Sequence, residues 1–108
     1  MKFLTISTNK EAMSALPPAM VRQLLEASTA WVNQQKQAGV IKEIYWIPGL
    51  GTAVICEHES TEHLVQTLTT LPLGPFMNLD VHPLADFNES MKAHIEAAKK
   101  AEQLFPPK

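Results

Sequence analysis

Residues 40–58, VIKEIYWIPGLGTAVICEH, predict a β-hairpin in the middle of the chain. Residues 40–48 alternate in polarity as a strand does, and residues 52–58 are rich in the apolar and β-branched residues that favour strands. Gly49 and Gly51 lie between them, where a tight turn needs flexible backbone. The hairpin therefore consists of two antiparallel strands that connect the first half of the chain to the second half.

The segments on both sides of the hairpin complete a regular order. In sequence they are a strand at 2–8, a helix at 19–38, a helix at 60–71, a strand at 76–84 and a helix at 86–104. Each βαβ half needs a right-handed crossover, so the order βαββαβ leaves few topologies. We predict an α+β fold of the ferredoxin-like kind, an antiparallel sheet with an extra C-terminal helix, as a single domain over residues 1–108.

The composition excludes several classes of partner. Nine Lys and Arg against eleven Asp and Glu give a formal charge of −2, so the chain lacks the cationic field that attracts nucleic acid or anionic lipid. No run approaches the roughly 20 apolar residues that a membrane helix needs, and the start of the chain has no signal-peptide pattern. Cys56 is the single cysteine, which excludes an internal disulfide. A reducing, cytoplasmic location is the expectation.

A second apolar surface predicts self-association. Two helices can cover one face of a four-stranded sheet, yet apolar strand residues remain for the other face: Phe3, Ile41, Tyr45, Ile47, Ala53, Ile55, Leu79 and Val81. A stable interface buries about 800 Å² per partner, and pairing with another copy is the simplest way to cover such a face. We expect a homodimer, in which two sheets form an α/β barrel, or a higher homo-oligomer.

Residues 71–81, LPLGPFMNLDV, resemble the segment LPLxPΦΦxΦxV of the muconolactone isomerase family, where Φ is a hydrophobic residue. The order of elements and the chain length are similar as well. This resemblance implies a dimeric α/β barrel and a cofactor-independent isomerase that transfers a proton on a small lactone or aromatic-derived acid. Such a reaction needs a general acid/base and a group that stabilises an enolate. The resemblance itself assigns no catalytic residue here.

Histidines are the candidates for proton transfer, because their unperturbed pKa lies near neutrality. His82 shares one strand face with Asp80 and Asn78, and we predict His82 and Asp80 as the catalytic residues, with an ordinary edge-strand surface as the alternative. His58 and His63 lie among glutamates at a strand-to-helix boundary. A metal site there would need a third converging ligand, so we expect an exposed turn and no metal or other cofactor.

Three aromatic residues are candidates for binding a small apolar or aromatic-derived ligand. Trp31 lies on the apolar stripe of the first helix, and Tyr45 and Trp46 lie on the second strand, where a cleft between helix and sheet can form. A plain packing role is the alternative for these aromatics. Two other functions stay open: a non-catalytic ligand-binding or assembly protein, and, by analogy of fold alone, a cofactor-free monooxygenase-like barrel.

Overall fold

The computed structural model describes residues 1–107 and contains one four-stranded sheet with three helices. Along the chain the elements are β1 (Lys2–Asn9), α1 (Pro18–Gln37), β2 (Ile41–Ile47), β3 (Gly51–Glu57), α2 (Thr61–Leu68), β4 (Met77–Leu84) and α3 (Phe87–Leu104), with short 3-10 turns at Glu11–Ala15 and Gly74–Phe76. The predicted βαββαβ order with an additional C-terminal helix is confirmed.

The strands lie in the order β2-β3-β1-β4, and every neighbouring pair is antiparallel. Strand β1 is central: Ile6 lies opposite Ala53 of β3 on one side and opposite Asp80 of β4 on the other. The pairing of β2 with β3 contains a β-bulge between Ile41 and Glu43, which breaks the alternation of side chains along β2. This bulge affects which residues reach each face of the sheet.

The helix ends follow the local sequence. Ser60 begins α2, because its Oγ accepts a hydrogen bond from the backbone N–H of His63 at 3.1 Å. Asp86 does the same for α3, where its Oδ2 accepts from the backbone N–H of Glu89 at 2.9 Å. Gly39 follows α1 with φ of +77°, a conformation that glycine adopts without steric cost. The predicted end of the first helix and the predicted starts of the other two agree with the structure to within one residue, while α2 ends at Leu68, three residues before the predicted end.

Helices α1 and α2 cover one face of the sheet and leave the other open. In β1, Phe3, Thr5 and Ser7 are buried, while Leu4 and Ile6 on the opposite side are half-buried. Residues directly opposite in the register share a face. We call the uncovered side the open face; its apolar residues are Leu4, Ile6, Tyr45, Ile47, Ala53 and Ile55.

The sequence prediction of the second apolar face is therefore partly wrong. Phe3, Ile41, Leu79 and Val81 belong to the covered face, because they pair in register with covered-face residues of the neighbouring strands. Alternation identifies residues that share a face but does not say which face the helices cover, and the bulge shifts Ile41 relative to Tyr45. The open face is nevertheless apolar at its centre.

The core is small, and α3 lies outside it. Phe3, Cys56 and Leu64 form the buried cluster, with Val54 and Leu68 packed against it. None of the residues of α3 is buried, and the molecule extends 69 Å along its longest axis with a radius of gyration of 19.4 Å. A compact domain of this length has a radius of gyration of about 13 Å. Helix α3 thus projects from the domain as an arm.

None of the three helices is both long enough and apolar enough, within residues 1–107, to cross a membrane.

Candidate functional site

A cleft lies between the covered face of the sheet and helices α1 and α2. Its volume is about 330 Å³, which falls at the lower end of the range for small-ligand sites. Most of its wall is apolar and comes from both helices and all four strands, including Leu25, Val32, Ile44, Val54, Leu68 and Leu79. The cleft exists because short side chains, Thr5 and Ser7 of β1, occupy the centre of the covered face where larger ones would fill the space.

Two of the predicted aromatic residues line this cleft. Trp31 reaches it from α1 and Trp46 from β2. The indole Nε1 of Trp31 donates a hydrogen bond to Thr70 Oγ1 at 2.8 Å, which fixes α1 against the segment that follows α2. Trp46 keeps 65% of its surface exposed, so it has room to contact a ligand. Their position between helix and sheet agrees with the sequence prediction, while their role in binding stays a prediction.

The remaining predicted site residues lie on the open face. Tyr45 pairs with Ala53, Asp80 with Ile6 and His82 with Leu4, all open-face positions in the register. The predicted site is thus divided between two sides of the sheet: Trp31 and Trp46 on one, and Tyr45, Asp80 and His82 on the other.

Tyr45 is engaged by a neighbour on its own strand. Its hydroxyl donates a hydrogen bond to Glu43 Oε1 at 3.1 Å. That hydrogen bond, followed by the charge of the Glu43 carboxylate, raises the pKa of the Tyr45 phenol above its ordinary value. Tyr45 is therefore a hydrogen-bonding and packing group at neutral pH, with its ring 60% exposed.

Hydroxyl groups of serine and threonine are the most numerous polar side-chain groups of the cleft wall. The hydroxyls of Ser7 and Thr52 are hydrogen-bonded to each other across β1 and β3, and the backbone N–H of Thr52 donates to Ser7 Oγ at 3.3 Å. Thr5 is only 5% exposed, and no hydrogen bond of its hydroxyl is found within residues 1–107. Because no buried polar side-chain atom of the described residues lacks a partner, the Thr5 hydroxyl must open into the cleft. It is a free donor or acceptor for a ligand.

Charged side chains are absent from the lining that the structure describes, and Cys56 and His58 are its titratable groups. Cys56 is 3% exposed, and burial raises the pKa of its thiol, so it stays protonated and unreactive at neutral pH. Cys56 therefore packs as a small hydrophobic residue of the core.

His58 lies at the end of β3 and faces His63 of α2. Their Nδ1 atoms are 3.0 Å apart, and the two rings are tilted by 56°. His58 is only 5% exposed, because its backbone N–H donates to the carbonyl oxygen of Met1 at 2.9 Å and the ring of Phe3 packs nearby. Burial, followed by the charges of His63 and the Met1 amino group, lowers the pKa of His58.

The sequence expectation of an exposed turn is therefore wrong for His58. The glutamates around it in sequence are exposed, but the imidazole of His58 packs against the rings of Phe3 and His63. A signal was present, since the alternation of 52–58 places His58 in phase with Cys56. No group of three or more His, Cys, Asp or Glu residues in the described part of the chain converges as a metal site would require.

Comparison with known proteins gives a consistent family and fold. The sequence profile described as muconolactone delta-isomerase matches residues 1–90. A solved muconolactone isomerase structure is similar with a TM-score of 0.69 and 27% identity, covering 80% of this chain and 90% of that one. A second similar structure is the 5-chloro-2-hydroxyhydroquinone dehydrochlorinase of Burkholderia phenoliruptrix AC1100, solved with 2,5-dihydroxybenzoquinone. Its TM-score is 0.64 at 14% identity, with coverage of 82% and 98%, and this likeness concerns the fold alone. No curated protein matches the chain significantly.

Proposed function

The chain belongs to the muconolactone delta-isomerase family, and on that premise we propose that it is a cofactor-independent isomerase. Its substrate is a small lactone or aromatic-derived acid, which binds in the cleft and is isomerised by proton transfer. The observation that carries this proposal is the cleft itself, a space of about 330 Å³ with apolar walls and a few hydroxyls. That volume suits a single small ring.

The walls of the cleft support binding of a flat ring. Trp31 and Trp46 line it from opposite layers, one from the helix and one from the sheet, so a ring between them has aromatic surface available on two sides. Leu25, Val54 and Leu79 exclude water from the remaining wall. Exclusion of water strengthens every hydrogen bond made inside the cleft.

Isomerisation of an unsaturated lactone breaks a C–H bond that is conjugated with the carbonyl group through the double bond and forms another C–H bond at a different carbon of the same conjugated system. The electron pair of the broken bond moves onto the carbonyl oxygen as an enolate, and hydrogen-bond donors lower its energy. Thr5 offers a free hydroxyl, and the Ser7–Thr52 pair has one hydroxyl hydrogen left after the bond between them. These are the groups proposed to hold the enolate oxygen.

Asp80 and His82 are proposed catalytic residues for a different binding site, outside the cleft. They lie on the open face, beside Ile6 and Leu4, and both are exposed. They can act only on a ligand bound between the open faces of two copies. A His82→Ala variant that folds and keeps full turnover would remove them from the mechanism.

A second copy of the chain is the proposed partner. The apolar centre of the open face and the projecting arm α3 both leave hydrophobic side chains in water, including Tyr45, Phe87 and Ile95. Pairing of two open faces as an α/β barrel covers the first surface, and docking of α3 on a neighbouring copy covers the second. The single unpaired thiol, Cys56, is compatible with the reducing conditions of a cytoplasmic location.

Incubation of the purified protein with muconolactone tests the proposal. We expect a new isomer with turnover above the uncatalysed rate, measured at a sensitivity that a known muconolactone isomerase satisfies in parallel. Absence of product at that sensitivity, with muconolactone binding shown by calorimetry, would contradict catalysis while leaving the cleft as a binding site.

A non-catalytic ligand-binding protein is the second candidate, and one observation favours it. No Lys, Arg, Asp or Glu lines the described cleft, so the carboxylate of a lactone acid finds no ionic partner there within one copy. A neutral ring suits such a wall better. Tight binding of a neutral lactone or quinol without turnover would support this candidate over the isomerase.

A further inference from the structure

The buried histidine pair at the end of the cleft has no structural need to be ionisable. His58 lines the cleft from β3, and His63 supports it from the first turn of α2. Two apolar residues would fill this space at lower cost than two imidazoles, since buried polar groups stabilise a fold only when they are paired. We propose that His58 is the catalytic acid/base of the cleft and that His63 is its positioning residue; this inference rests on the proposed function.

The contact between the rings determines which nitrogen of His58 can reach a ligand. The two Nδ1 atoms are 3.0 Å apart, so one of them carries the hydrogen and the other accepts it. Nε2 of His58 has no hydrogen-bond partner within residues 1–107, and no unpaired polar side-chain atom there is sealed from solvent. Nε2 is therefore accessible, and the cleft is the space that His58 borders.

The tautomer follows from the function. A base needs a lone pair at Nε2, which places the hydrogen of neutral His58 on Nδ1, donated to Nδ1 of His63. His63 then carries its own hydrogen on Nε2. When the C–H bond of the substrate breaks, its proton forms an N–H bond at Nε2 of His58 and the electron pair passes to the enolate.

The imidazolium that results is stabilised by the lone pair of His63 Nδ1, at the other end of the ring. Nε2 then returns the proton to the second carbon, and the pair regains its starting state. No oxidant, metal or additional base is consumed.

The surroundings keep His58 neutral before the reaction. The groups that act on it electrostatically are His63 of α2 and the amino group of Met1 at the start of β1, both positive when protonated. With burial as the largest cause, these charges hold the pKa of His58 below its ordinary value. The carboxylate of Glu57, the residue before His58, forms an ion pair with Lys42, with Oε2 3.6 Å from Nζ. At neutral pH the Nε2 lone pair is thus available.

Nitrogen-15 NMR of the imidazoles tests the pair without a substrate. At neutral pH we expect His58 to be neutral with its hydrogen on Nδ1. A hydrogen on Nε2 of His58, or a positive charge on it at pH 7, would overturn the inference. This measurement decides the role of the pair even if muconolactone is not a substrate.

Kinetics with muconolactone tests the same pair through the reaction. Replacing an acid/base group typically lowers the rate about 10²- to 10⁴-fold, so His58→Gln should lose at least about 100-fold in kcat with little change in KM. His63→Gln should retain more activity, because the amide oxygen of glutamine can still accept a hydrogen bond from Nδ1 of His58. The acid limb of the pH–rate profile should move to higher pH, because glutamine cannot carry the positive charge by which protonated His63 lowers the pKa of His58. The comparison variant His94→Gln, which replaces an exposed imidazole on α3, should keep the profile of the unsubstituted protein.

The outcomes separate the two proposals. Loss of turnover in His82→Gln with activity retained in His58→Gln contradicts the role of His58 but leaves an isomerase. No turnover by the unsubstituted protein contradicts the proposed function, and the NMR result then decides the histidine pair alone. Circular dichroism of each variant establishes folding; if His58→Gln does not fold, the His63→Gln pH profile and the NMR measurement still decide the question.

Discussion

Removal of two apolar side chains from the arm tests how α3 is used. Phe87 and Ile95 lie on one side of the helix and keep 72% and 55% of their surfaces exposed. Full burial of a side chain of this size contributes about 1.5–3 kcal/mol, so covering what remains exposed on both contributes about 2–4 kcal/mol per copy. A symmetric dimer docks two arms, and the total of about 4–8 kcal/mol corresponds to roughly a 10³- to 10⁶-fold change in the dissociation constant.

Sedimentation velocity over a concentration series measures this effect. We expect the double variant Phe87→Ser, Ile95→Ser to dissociate at concentrations where the unsubstituted chain is associated. The matched control is Glu96→Ser, Lys100→Ser on the opposite side of α3, where both replaced groups are charged and exposed. Equal weakening by both variants, or an unsubstituted chain that is monomeric at every concentration, would refute the docking of α3 by its apolar side.

Three further predictions concern the sheet, the core and pH. Gly51→Ala should destabilise the fold by more than the roughly 1–3 kcal/mol typical of overpacking, because its Cβ would clash with the backbone carbonyl group of Ser7. Gly49→Ala, with nothing within 4 Å of its Cβ, should cost less, and urea unfolding compares the two variants. Leu64→Ala removes a side chain that is 1% exposed and should cost about 2–5 kcal/mol in the same assay; a loss below 1 kcal/mol would show that the core is looser than described. The pKa of His58 is lowered in the folded state, so on acidification the unfolded state binds a proton at this residue before the folded state does. The stability that neutral His58 contributes is complete above the ordinary histidine pKa and is lost as the pH falls through the lowered pKa. His58→Gln should therefore flatten that part of the stability–pH curve.

The order of elements could be predicted because each boundary has a local cause. Ser60 and Asp86 cap helices through their own side chains, and Gly39 ends α1 in a conformation that few other residues adopt. Trp31 and Trp46 could be placed in a cleft because both follow the periodicity of their elements. These features depend on residues close together in sequence.

The assignment of faces and the histidine pair could not be predicted in the same way. Which side of the sheet α1 and α2 cover depends on the packing of Phe3 under Leu64, residues far apart in the chain. Burial of His58 depends on Phe3, which is distant in sequence and whose ring centroid lies 6.2 Å from that of the imidazole. Sequence periodicity contains no information about such distant pairs, so the acid/base candidates His82 and Asp80 were predicted from their shared strand face alone.

The most direct test of the cleft as the functional site is a crystal structure of the assembled protein soaked with muconolactone. We predict electron density for the lactone ring between Trp31 and Trp46, with Nε2 of His58 within hydrogen-bonding distance of the ring. Density between open faces beside Asp80 and His82, or an empty cleft at saturating lactone, would contradict this prediction.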